Sequence, residues 1–442
     1  MIQLSDHFTY KRLLRYTLPS IVMMVFTSIY GVVDGFFVSN FVGKTPFAAV
    51  NFIMPVLMIL GCVGFMFGTG GGALIAKTLG EGDEERANRI FSLIVASSVV
   101  CALILTVLGI IFLPQIALLL KADERMLGDC VLYGRIILAA LPFYVLQYEF
   151  QCLFATAGKP KLGLAVTVAA GVTNMVMDAL FVAVFSWGLA GAAIATAMSQ
   201  FVGGVIPLIY FARPRRDSLL HFTRFSFDGK ALVKTCTNGS SELMSNISMS
   251  VVSMLYNSRL MYYAGENGIA AYGVLMYVSM IFQAIFIGFA VGTAPVVGFH
   301  YGAQNRGELK SLLKKGTFLL AICSLAMFAA GELFSAPLSR MFVGYDEELL
   351  DITTRAFTLF SFSFLFSGFS IFGSSFFTAL NDGATSALIS FLRTLVFQVL
   401  AVLLFPLIWE LDGIWFSLVA AELLSVITTG LFLLGKRKKY GY

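Results

Sequence analysis

Apolar stretches of twenty or more residues recur along the whole chain, separated by short segments rich in glycine, proline and charge. At ~1.5 Å per residue, each stretch is long enough as a helix to cross a hydrocarbon core of about 30 Å. Backbone groups in lipid must be hydrogen-bonded within their own segment, which favours helices over open strands. Only 12% of the residues are charged, whereas soluble domains carry about 25%. The sequence therefore predicts an all-α polytopic membrane protein.

The intervening segments divide the chain into twelve predicted membrane-spanning helices. Basic residues concentrate before the first span, between the sixth and seventh spans, and in the closing "KRKK". These segments lie on one side of the predicted membrane, so the positive-inside rule puts both termini in the cytoplasm. The predicted spans cover roughly 14–38, 47–76, 88–113, 130–156, 160–185, 188–212, 234–260, 269–299, 311–335, 350–378, 385–409 and 412–435.

The chain also contains an internal repeat. The segment "GGGALIAKTLGEGD" at 70–83 aligns with "GTAPVVGFHYGAQN" at 292–305, an offset of 292 − 70 = 222. Six helices in each copy leave both copies facing the same way, as parallel repeats related by a pseudo-twofold axis along the membrane normal. We therefore predict two six-helix lobes with a substrate cleft between them. The predicted bounds are 1–212 for the first lobe, 213–233 for a cytoplasmic linker and 234–442 for the second lobe.

Four polar residues inside predicted spans occur in the first lobe alone. If the scaffold required these groups, the second lobe should carry them as well, so their asymmetry favours a functional role. This quartet consists of Asp34, Asn174, Asp178 and Thr196, and the repeat places Tyr256, Val396, Leu400 and Leu418 at the corresponding positions.

The quartet is expected to form one site. At ~1.5 Å per residue from the outer helix ends, all four residues lie ~6 to ~17 Å below the outer surface. An ionised carboxylate facing lipid costs roughly 2.5–3.5 kcal/mol, so Asp34 and Asp178 should point into the bundle. We expect the two carboxylates to bind a coupling cation, either a proton or Na⁺. The alternative is a hydrogen-bonded network that only locks three helices together.

Three further polar residues are candidates for lining the same cavity. Tyr30 lies on the helical stripe of Asp34, and Gln200 lies on the stripe of Thr196. Glu242 stands in the seventh span among serine and asparagine residues, where it could form a second polar patch.

Other intramembrane residues have structural as well as functional interpretations. Pro19 precedes Asp34 in the same span and should bend that helix, either as a lever for switching or as a static kink. Glu149, Arg393 and Glu422 are interpreted as interhelical pairs or as side chains that reach for the membrane surface.

Several classes of protein are disfavoured by what the sequence lacks. There is no GxxxxGK[ST] motif for ATP, and neither HExxH nor GxSxG for hydrolysis. The six cysteines stand singly in apolar segments without metal-ligand spacing. The net charge of +5 is spread over short loops, which indicates membrane topology rather than a nucleic-acid partner. We therefore expect neither an enzyme nor a cofactor.

These residues resemble the multidrug and toxic compound extrusion (MATE) family, in particular its bacterial DNA-damage-inducible F and MepA-like branch. The resemblance covers essentially the whole chain. It rests on twelve spans in two lobes, on the paired loops "LGEGDEERAN" and "YGAQNRGELK", and on the quartet with Pro19 in the first span. In that branch, the same polar residue types stand in helices one, five and six with the same spacing.

The resemblance implies an antiporter of the bacterial cytoplasmic membrane, which exchanges H⁺ or Na⁺ for drug-like, often cationic and amphipathic molecules. We expect a monomer embedded in the lipid bilayer. The sodium-dependent branch of the family instead emphasises carboxylates in the second lobe, and this chain departs from that pattern. A flippase for lipid-linked saccharides, which uses a related two-lobe architecture, is the alternative; a membrane-embedded enzyme and a non-transporting receptor are less favoured.

Overall fold

The computed structural model describes residues 3–120, 124–213, 218–344 and 346–442, so residues 214–217 of the predicted linker lie outside it. Within these ranges the chain is helical and contains no strand. The helices fall into twelve spans, as predicted, and several are longer than expected. They are α1 Tyr10–Val42, α2 Thr45–Gly80, α3 Glu84–Leu119, α4 Glu124–Ala139 with Leu141–Thr156, α5 Pro160–Val184, α6 Gly188–Ala212, α7 229–264, α8 266–302, α9 Arg306–Val343, α10 Glu347–Ser361 with Phe364–Ala379, α11 Gly383–Leu404 and α12 Pro406–Tyr440.

Helices α7 and α8 form one helical stretch of 74 residues that counts as two spans. A straight helix of that length would extend ~110 Å, several times the thickness of a hydrocarbon core. Gly265 interrupts it with φ 60° and ψ −147°, a conformation that favours glycine. Beyond this break the chain returns to the side from which it came, because Gly239 and Gly298 both pack against α2.

Two other spans are bent rather than straight. The two parts of α4 meet at 57°, and the two parts of α10 meet at 49°. In α4 the bend falls just before Pro142, whose ring removes a backbone donor from the helix. Each bent pair is therefore one span, in agreement with the predicted fourth and tenth spans.

The repeat is visible in how the helices begin. Asp83 caps α3 by accepting the N–H of Arg86 at 3.0 Å, and Asn305 caps α9 by accepting the N–H of Glu308 at 3.1 Å. The two caps are 305 − 83 = 222 residues apart, the offset found in the sequence. A side-chain oxygen at this position satisfies an otherwise unpaired N–H of the first helical turn.

The two lobes meet on the side where α1 begins and α12 ends, which we call the terminal side. A Cβ atom on Gly80 would lie 2.0 Å from the carbonyl oxygen of Phe299, and one on Gly302 would lie 1.9 Å from that of Lys77. The offset of 222 converts the first contact into the second. The glycines therefore let α2 and α8 approach each other around the pseudo-twofold axis.

The opposite, distal side is built differently. There the buried apolar cluster around Val38 and Tyr133 contains first-lobe residues, and the cluster around Tyr256 and Trp415 contains second-lobe residues. On the terminal side, by contrast, buried clusters combine residues of both lobes. Among the described residues, the lobes are therefore joined on the terminal side and separate toward the distal side.

The N-terminal segment crosses from the first lobe onto the second. The N–H of Phe8 donates to Glu308 Oε1 at 2.9 Å, and His7 Nδ1 lies 2.6 Å from Glu308 Oε2. Lys315 Nζ donates to the carbonyl oxygen of Phe8 at 2.5 Å. Since α1 belongs to the first lobe, these bonds tie the two lobes together on the terminal side.

The turn between α10 and α11 is held by a second polar group on the terminal side. Asp382 accepts hydrogen bonds from Lys436 Nζ at 2.7 Å, from the Tyr440 hydroxyl at 2.7 Å and from the Thr385 N–H at 3.3 Å. Burial alone would raise the pKa of Asp382, but these bonds outweigh it and lower the pKa from 3.8 to about 2. The carboxylate therefore pins the end of α12 to the start of α11.

We predict that Asp382→Asn lowers the stability of the protein at pH 7 by roughly 1–3 kcal/mol, because it removes a charged acceptor from three hydrogen bonds. The folded pKa is depressed, so this contribution is present above the ordinary pKa and is lost as the pH falls toward 2. Thermal unfolding in detergent should show the two proteins converging between pH 4 and pH 2. As a control, Asp228→Asn changes the cap of α7, where asparagine is an equally good acceptor, and should have a small effect.

We also predict that Gly302→Ala destabilises the contact between the lobes by about 1–3 kcal/mol, because its Cβ must displace backbone atoms of α2. Gly307→Ala is the matched control, since the nearest atom to its Cβ would be Asn305 Oδ1 at 3.7 Å. Thermal unfolding of both variants measures the difference. Equal unfolding temperatures would contradict the close approach.

Candidate functional site

The structure brings the four residues of the quartet together in the interior of the first lobe. Asp34 is 8% exposed, Asp178 is fully buried, Asn174 is buried and Thr196 is half-buried. They come from three helices, α1, α5 and α6. The predicted convergence of three polar faces is therefore what the structure contains.

A chain of hydrogen bonds links three members of the quartet. Asn174 Nδ2 donates to Thr196 Oγ1 at 3.5 Å, and Thr196 Oγ1 donates to Asp34 Oδ1 at 3.3 Å. Thr196 thus accepts one bond and donates another, which fixes the direction of its hydroxyl hydrogen. This orients the carboxylate of Asp34 within the bundle.

Asp178 lies close enough to Asp34 for the two carboxyl groups to interact electrostatically. Ionised carboxylates only accept hydrogen bonds, so a bond between the two would require that one of them carries a proton. Both Asp178 oxygens and Asn174 Oδ1 are buried and have no hydrogen-bond donor. The site therefore offers unused oxygen ligands around two like charges, an arrangement that a proton or a monovalent cation would stabilise.

The local helical geometry explains why the two aspartates meet. A Cβ on Gly171 would lie 2.4 Å from the Phe26 ring and 3.0 Å from the Tyr30 ring, so α1 and α5 approach closely there. Both helices run from the terminal to the distal side, and about two turns further on they present Asp34 and Asp178 to each other. Each helix then changes to a wider π-helical turn, a feature that is frequent at functional sites.

Sequence reasoning missed Tyr133 on α4. Its side chain is fully buried, its hydroxyl has no partner of good hydrogen-bond geometry, and it is close enough to Asp34, Asp178 and Thr196 to interact with them electrostatically. Nothing in the sequence distinguishes it from the other 15 of the 16 tyrosines. Tyr133 reaches the quartet through packing against residues of α1, α5 and α6, which share its buried apolar cluster.

The other predicted residues of the first lobe lie nearby or at the lobe interface. Tyr30 is half-buried and its hydroxyl accepts from Gln147 Nε2 at 3.5 Å, whereas Gln200 is buried and its Oε1 has no partner. Pro19 lies inside α1, which continues to Phe37 as an α-helix. It is flanked by contacts with Gly288 and Gly292 of α8, so it stands where α1 packs against the second lobe.

The second lobe is built without a quartet. Arg393 on α11 and Glu422 on α12 form a buried bidentate ion pair, with N–O distances of 2.8 to 3.1 Å. Subtracting 222 places them at Gly171 and Gln200 of the first lobe. At the position equivalent to Asp34, Tyr256 stacks on a tyrosine of α8. One of the two interpretations of Arg393 and Glu422, the interhelical pair, is confirmed.

Two further acids lie apart from the quartet. Glu149 on α4 is fully buried and is hydrogen-bonded to the Ser98 hydroxyl of α3. Glu242 on α7 is half-buried and has electrostatic neighbours in both lobes, Arg393 in the second and Cys62 and Cys152 in the first. That it lines the cavity stays a prediction.

The donor set of the quartet limits what it can bind. Among the described residues, no group of three His, Cys, Asp or Glu side chains is arranged to hold a metal ion. Two carboxylates, an amide and a hydroxyl are hard oxygen ligands, which suit protons and hard cations rather than soft metals such as Cu(I).

Comparison with known proteins gives consistent matches over nearly the whole chain. The MatE family profile matches residues 19–180 and 243–403. The multidrug export protein MepA of Staphylococcus haemolyticus is 25% identical over 423 residues, which cover 93% of this chain and 90% of that protein. The similarity of this chain to MepA therefore extends through both lobes.

Solved structures agree with this result. An outward-facing multidrug resistance MATE family transporter of the MOP superfamily superposes with a TM-score of 0.92 at 23% identity, covering 98% of this chain and 97% of that one. A MOP superfamily transporter from Pyrococcus furiosus gives a TM-score of 0.92 at 23% identity, covering 99% and 98%. The predicted all-α fold of two lobes is thereby confirmed.

We predict that Thr196→Val weakens cation binding at the quartet by about tenfold or more, because the valine cannot bridge Asn174 and Asp34 and a bond to a charged group is lost. Thr173→Val is the matched control, since the Thr173 hydroxyl donates to the carbonyl oxygen of Ala169 within α5. Thermal stabilisation of purified protein by Na⁺ or by protons measures the binding. Equal stabilisation of both variants would show that Thr196 does not take part in cation binding.

Proposed function

Because the chain belongs to the MatE family, which consists of transporters rather than enzymes, we propose that it is a secondary active multidrug exporter. It exchanges a cation, H⁺ or Na⁺, for drug-like molecules across the cytoplasmic membrane of a bacterium. The chain is a multi-pass membrane protein, and its first lobe carries the coupling site. The observation that carries the proposal is the chain of hydrogen bonds from Asn174 through Thr196 to Asp34, beside the buried and unpaired carboxyl oxygens of Asp178.

The two carboxylates supply the coupling. When both are ionised, they repel each other in a medium of low dielectric constant and leave several oxygens without donors. A bound proton or Na⁺ cancels this repulsion and draws α1 toward α5 and α6. A cationic drug in the cleft competes for the same negative charge, so entry of the ion favours release of the drug.

The arrangement of the lobes supports a direction of transport. The lobes are joined on the terminal side and separate toward the distal side. With both termini in the cytoplasm, as the distribution of basic residues predicts, the cleft is open to the outside. In this state the cation would enter the site and the drug would leave.

The energetics are sufficient for export. One elementary charge that crosses ~100 mV releases ~2.3 kcal/mol. Each tenfold concentration ratio requires ~1.4 kcal/mol. One ion per cycle can therefore sustain a gradient of about fortyfold for an uncharged drug, whereas exchange for a monovalent cationic drug moves no net charge and is driven by the concentration gradient of the ion.

The base of the cleft is suited to varied apolar molecules. Met23 and Met24 of α1, Cys152 of α4, and Ala284 and Val291 of α8 form a buried cluster between the lobes. Methionine side chains are flexible and polarisable, which allows them to adapt to ligands of different shape. A flippase for lipid-linked saccharides would instead use free cationic groups, and Arg393 is already bound by an acid.

We predict that Asp34→Asn abolishes efflux of ethidium from a host that lacks its own pumps, because one of the two exchanging carboxylates is lost. Asp351→Asn, which changes an exposed acid on α10, is the control and should export at the wild-type rate. Fluorescence of ethidium in energised cells measures the rate. Unchanged efflux in Asp34→Asn would refute the assignment.

The choice of ion follows from a separate measurement. In proteoliposomes, a proton gradient and a sodium gradient are imposed one at a time, and drug movement is recorded for wild type and Asp178→Asn. The coupling ion is the one whose gradient drives movement in the wild type and fails to do so in the variant. If neither gradient drives movement, secondary transport is excluded.

A further inference from the structure

Four lysine side chains converge on one turn at the junction of the lobes, on the terminal side. The turn consists of Asn381 and Asp382, between α10 and α11. Lys234 Nζ of α7 donates to the carbonyl oxygen of Asn381 at 2.6 Å. Lys436 Nζ of α12 donates to Asp382 Oδ2 at 2.7 Å. Two ammonium groups from different helices therefore flank the same turn.

The other two lysines reach this turn through aromatic rings. The Tyr440 hydroxyl donates to Asp382 at 2.7 Å, and Lys439 Nζ lies 4.9 Å from the centre of the Tyr440 ring. The Tyr301 ring lies edge to face against Tyr440, with their centres 5.8 Å apart. Lys77 Nζ in turn lies 5.8 Å from the centre of the Tyr301 ring. We call the four residues the junction lysines; they are Lys77, Lys234, Lys436 and Lys439.

The junction lysines belong to both lobes. Lys77 lies on α2 of the first lobe, whereas the other three lie on α7 and α12 of the second lobe. One turn before Lys77, the carbonyl oxygen of Ala73 accepts a hydrogen bond from Asn381 Nδ2 at 3.2 Å. This bond holds α2 against the turn, so the joined lobes bring Lys77 to the lysines of the second lobe.

The cluster carries an excess of positive charge. Its acidic neighbours are Asp382 and Glu81, whose Oε1 lies 3.5 Å from Lys77 Nζ. Four lysines against these two acids leave a net charge of +2. The positive-inside rule accounts for basic residues on this side of the membrane, but not for their convergence on one turn. Like charges held close together repel each other, and an anion between them would relieve that repulsion.

An open groove of about 470 Å³ lies beside the junction lysines, at the start of α7. It is lined by Gly229, Lys230, Val233, Lys234 and Thr237, so Lys234 belongs both to the cluster and to the groove. Lys230 is exposed, and its ammonium group has no partner among the described residues. Val233 is 65% exposed. The groove therefore combines a basic rim with an apolar wall.

The apolar wall continues along α7 into the membrane. Met244, Ile247 and Val251 follow Thr237 at helical spacing, and these three side chains are 42 to 51% exposed. From Lys234 to Met244 the helix rises ~15 Å. This is about half of a hydrocarbon core of ~30 Å, which is the depth of one lipid leaflet. An acyl chain whose headgroup lies at the lysines can therefore lie along this face.

We propose that the junction lysines and the adjacent groove bind an anionic phospholipid, with its phosphate between the ammonium groups and an acyl chain along α7. Ammonium groups form charge-assisted hydrogen bonds with phosphate oxygens. Basic pockets between membrane helices on the cytoplasmic side bind acidic lipid headgroups. Because Lys77 and Lys439 come from different lobes, the bound phosphate stabilises the joined state of the terminal side. The site lies outside the quartet and binds its ligand without transport.

Lipid binding is tested on the purified full-length protein in detergent. Phosphatidylglycerol is titrated, and the rise in the unfolding temperature gives its affinity. Phosphatidylcholine with the same acyl chains is the comparison lipid, because its headgroup carries no net charge. We expect phosphatidylglycerol to act at a concentration at least tenfold lower than phosphatidylcholine. The same concentration dependence for both lipids would overturn the proposal.

The role of the lysines is tested with Lys77→Gln/Lys439→Gln, which removes one junction lysine from each lobe and keeps the two that bond to the turn. We expect this variant to bind phosphatidylglycerol at least tenfold more weakly. Lys310→Gln/Lys314→Gln is the matched control, because it removes the same charge from exposed lysines of α9. If both double variants lose affinity equally, the lipid is attracted by surface charge in general, which would overturn the site.

A second variant separates charge from folding. Lys77→Arg/Lys439→Arg keeps both positive charges and should bind phosphatidylglycerol as the wild type does. If this variant unfolds at the wild-type temperature without lipid and yet does not bind the lipid, charge is not what the lipid recognises, and the proposal is overturned.

Inorganic phosphate distinguishes a lipid from a soluble phosphate compound. It carries the charge but has no acyl chain to bury. We therefore expect it to displace phosphatidylglycerol only at concentrations at least tenfold higher. Displacement at equal concentration would assign the junction lysines to a soluble phosphate compound and overturn the lipid.

The Asp34→Asn variant distinguishes this proposal from the proposed function. Because the junction lysines lie outside the quartet, this variant should bind phosphatidylglycerol with wild-type affinity even if it exports nothing. A tenfold loss of lipid affinity in Asp34→Asn would contradict the independence of the two sites. Failure of the proposed function alone would leave lipid binding unchanged.

Discussion

The structure depends on one constraint, which is that a polar group inside a membrane must find its partner within the protein. Helices meet this constraint for the backbone. Side chains in this chain differ in how far they meet it. The Arg393–Glu422 pair neutralises its own charge, Ser374 and Ser386 bond to each other between α10 and α11, and the quartet leaves buried oxygens without a donor. In the proposed function, the unpaired oxygens of the quartet are the ones that bind the coupling ion.

The contacts between the two lobes follow the internal repeat, whereas the polar groups inside the lobes do not. The contacts that hold the lobes together recur at the offset of 222, as in Gly80 with Phe299 and Gly302 with Lys77. The polar groups at the centres of the lobes do not recur. A duplicated scaffold lets one lobe keep a stable ion pair while the other keeps two uncompensated carboxylates, and the two lobes can then respond differently to the same ion.

Much of this was predictable from sequence, for identifiable reasons. Helix number followed from apolar length, and the convergence of Asp34, Asp178 and Thr196 followed from helical spacing and depth. Tyr133 could not be predicted, because its position depends on how α4 packs against α1, α5 and α6. The hydroxyl bonds between α10 and α11 could not be predicted, because serines in apolar spans commonly bond to their own helix; only the packing of the two helices shows otherwise.

The crossing of the N-terminal segment has a mechanical consequence. Glu308 and Lys315 of the second lobe hydrogen-bond to the His7 side chain and the Phe8 backbone. From there the chain continues directly into α1 of the first lobe. The segment is thus a strap fastened at both ends. If the lobes separate on the terminal side, the hydrogen bonds to Glu308 must break, or the length of the N-terminal segment must limit the distance of separation. A few residues outside the membrane would then determine how far the lobes can move apart.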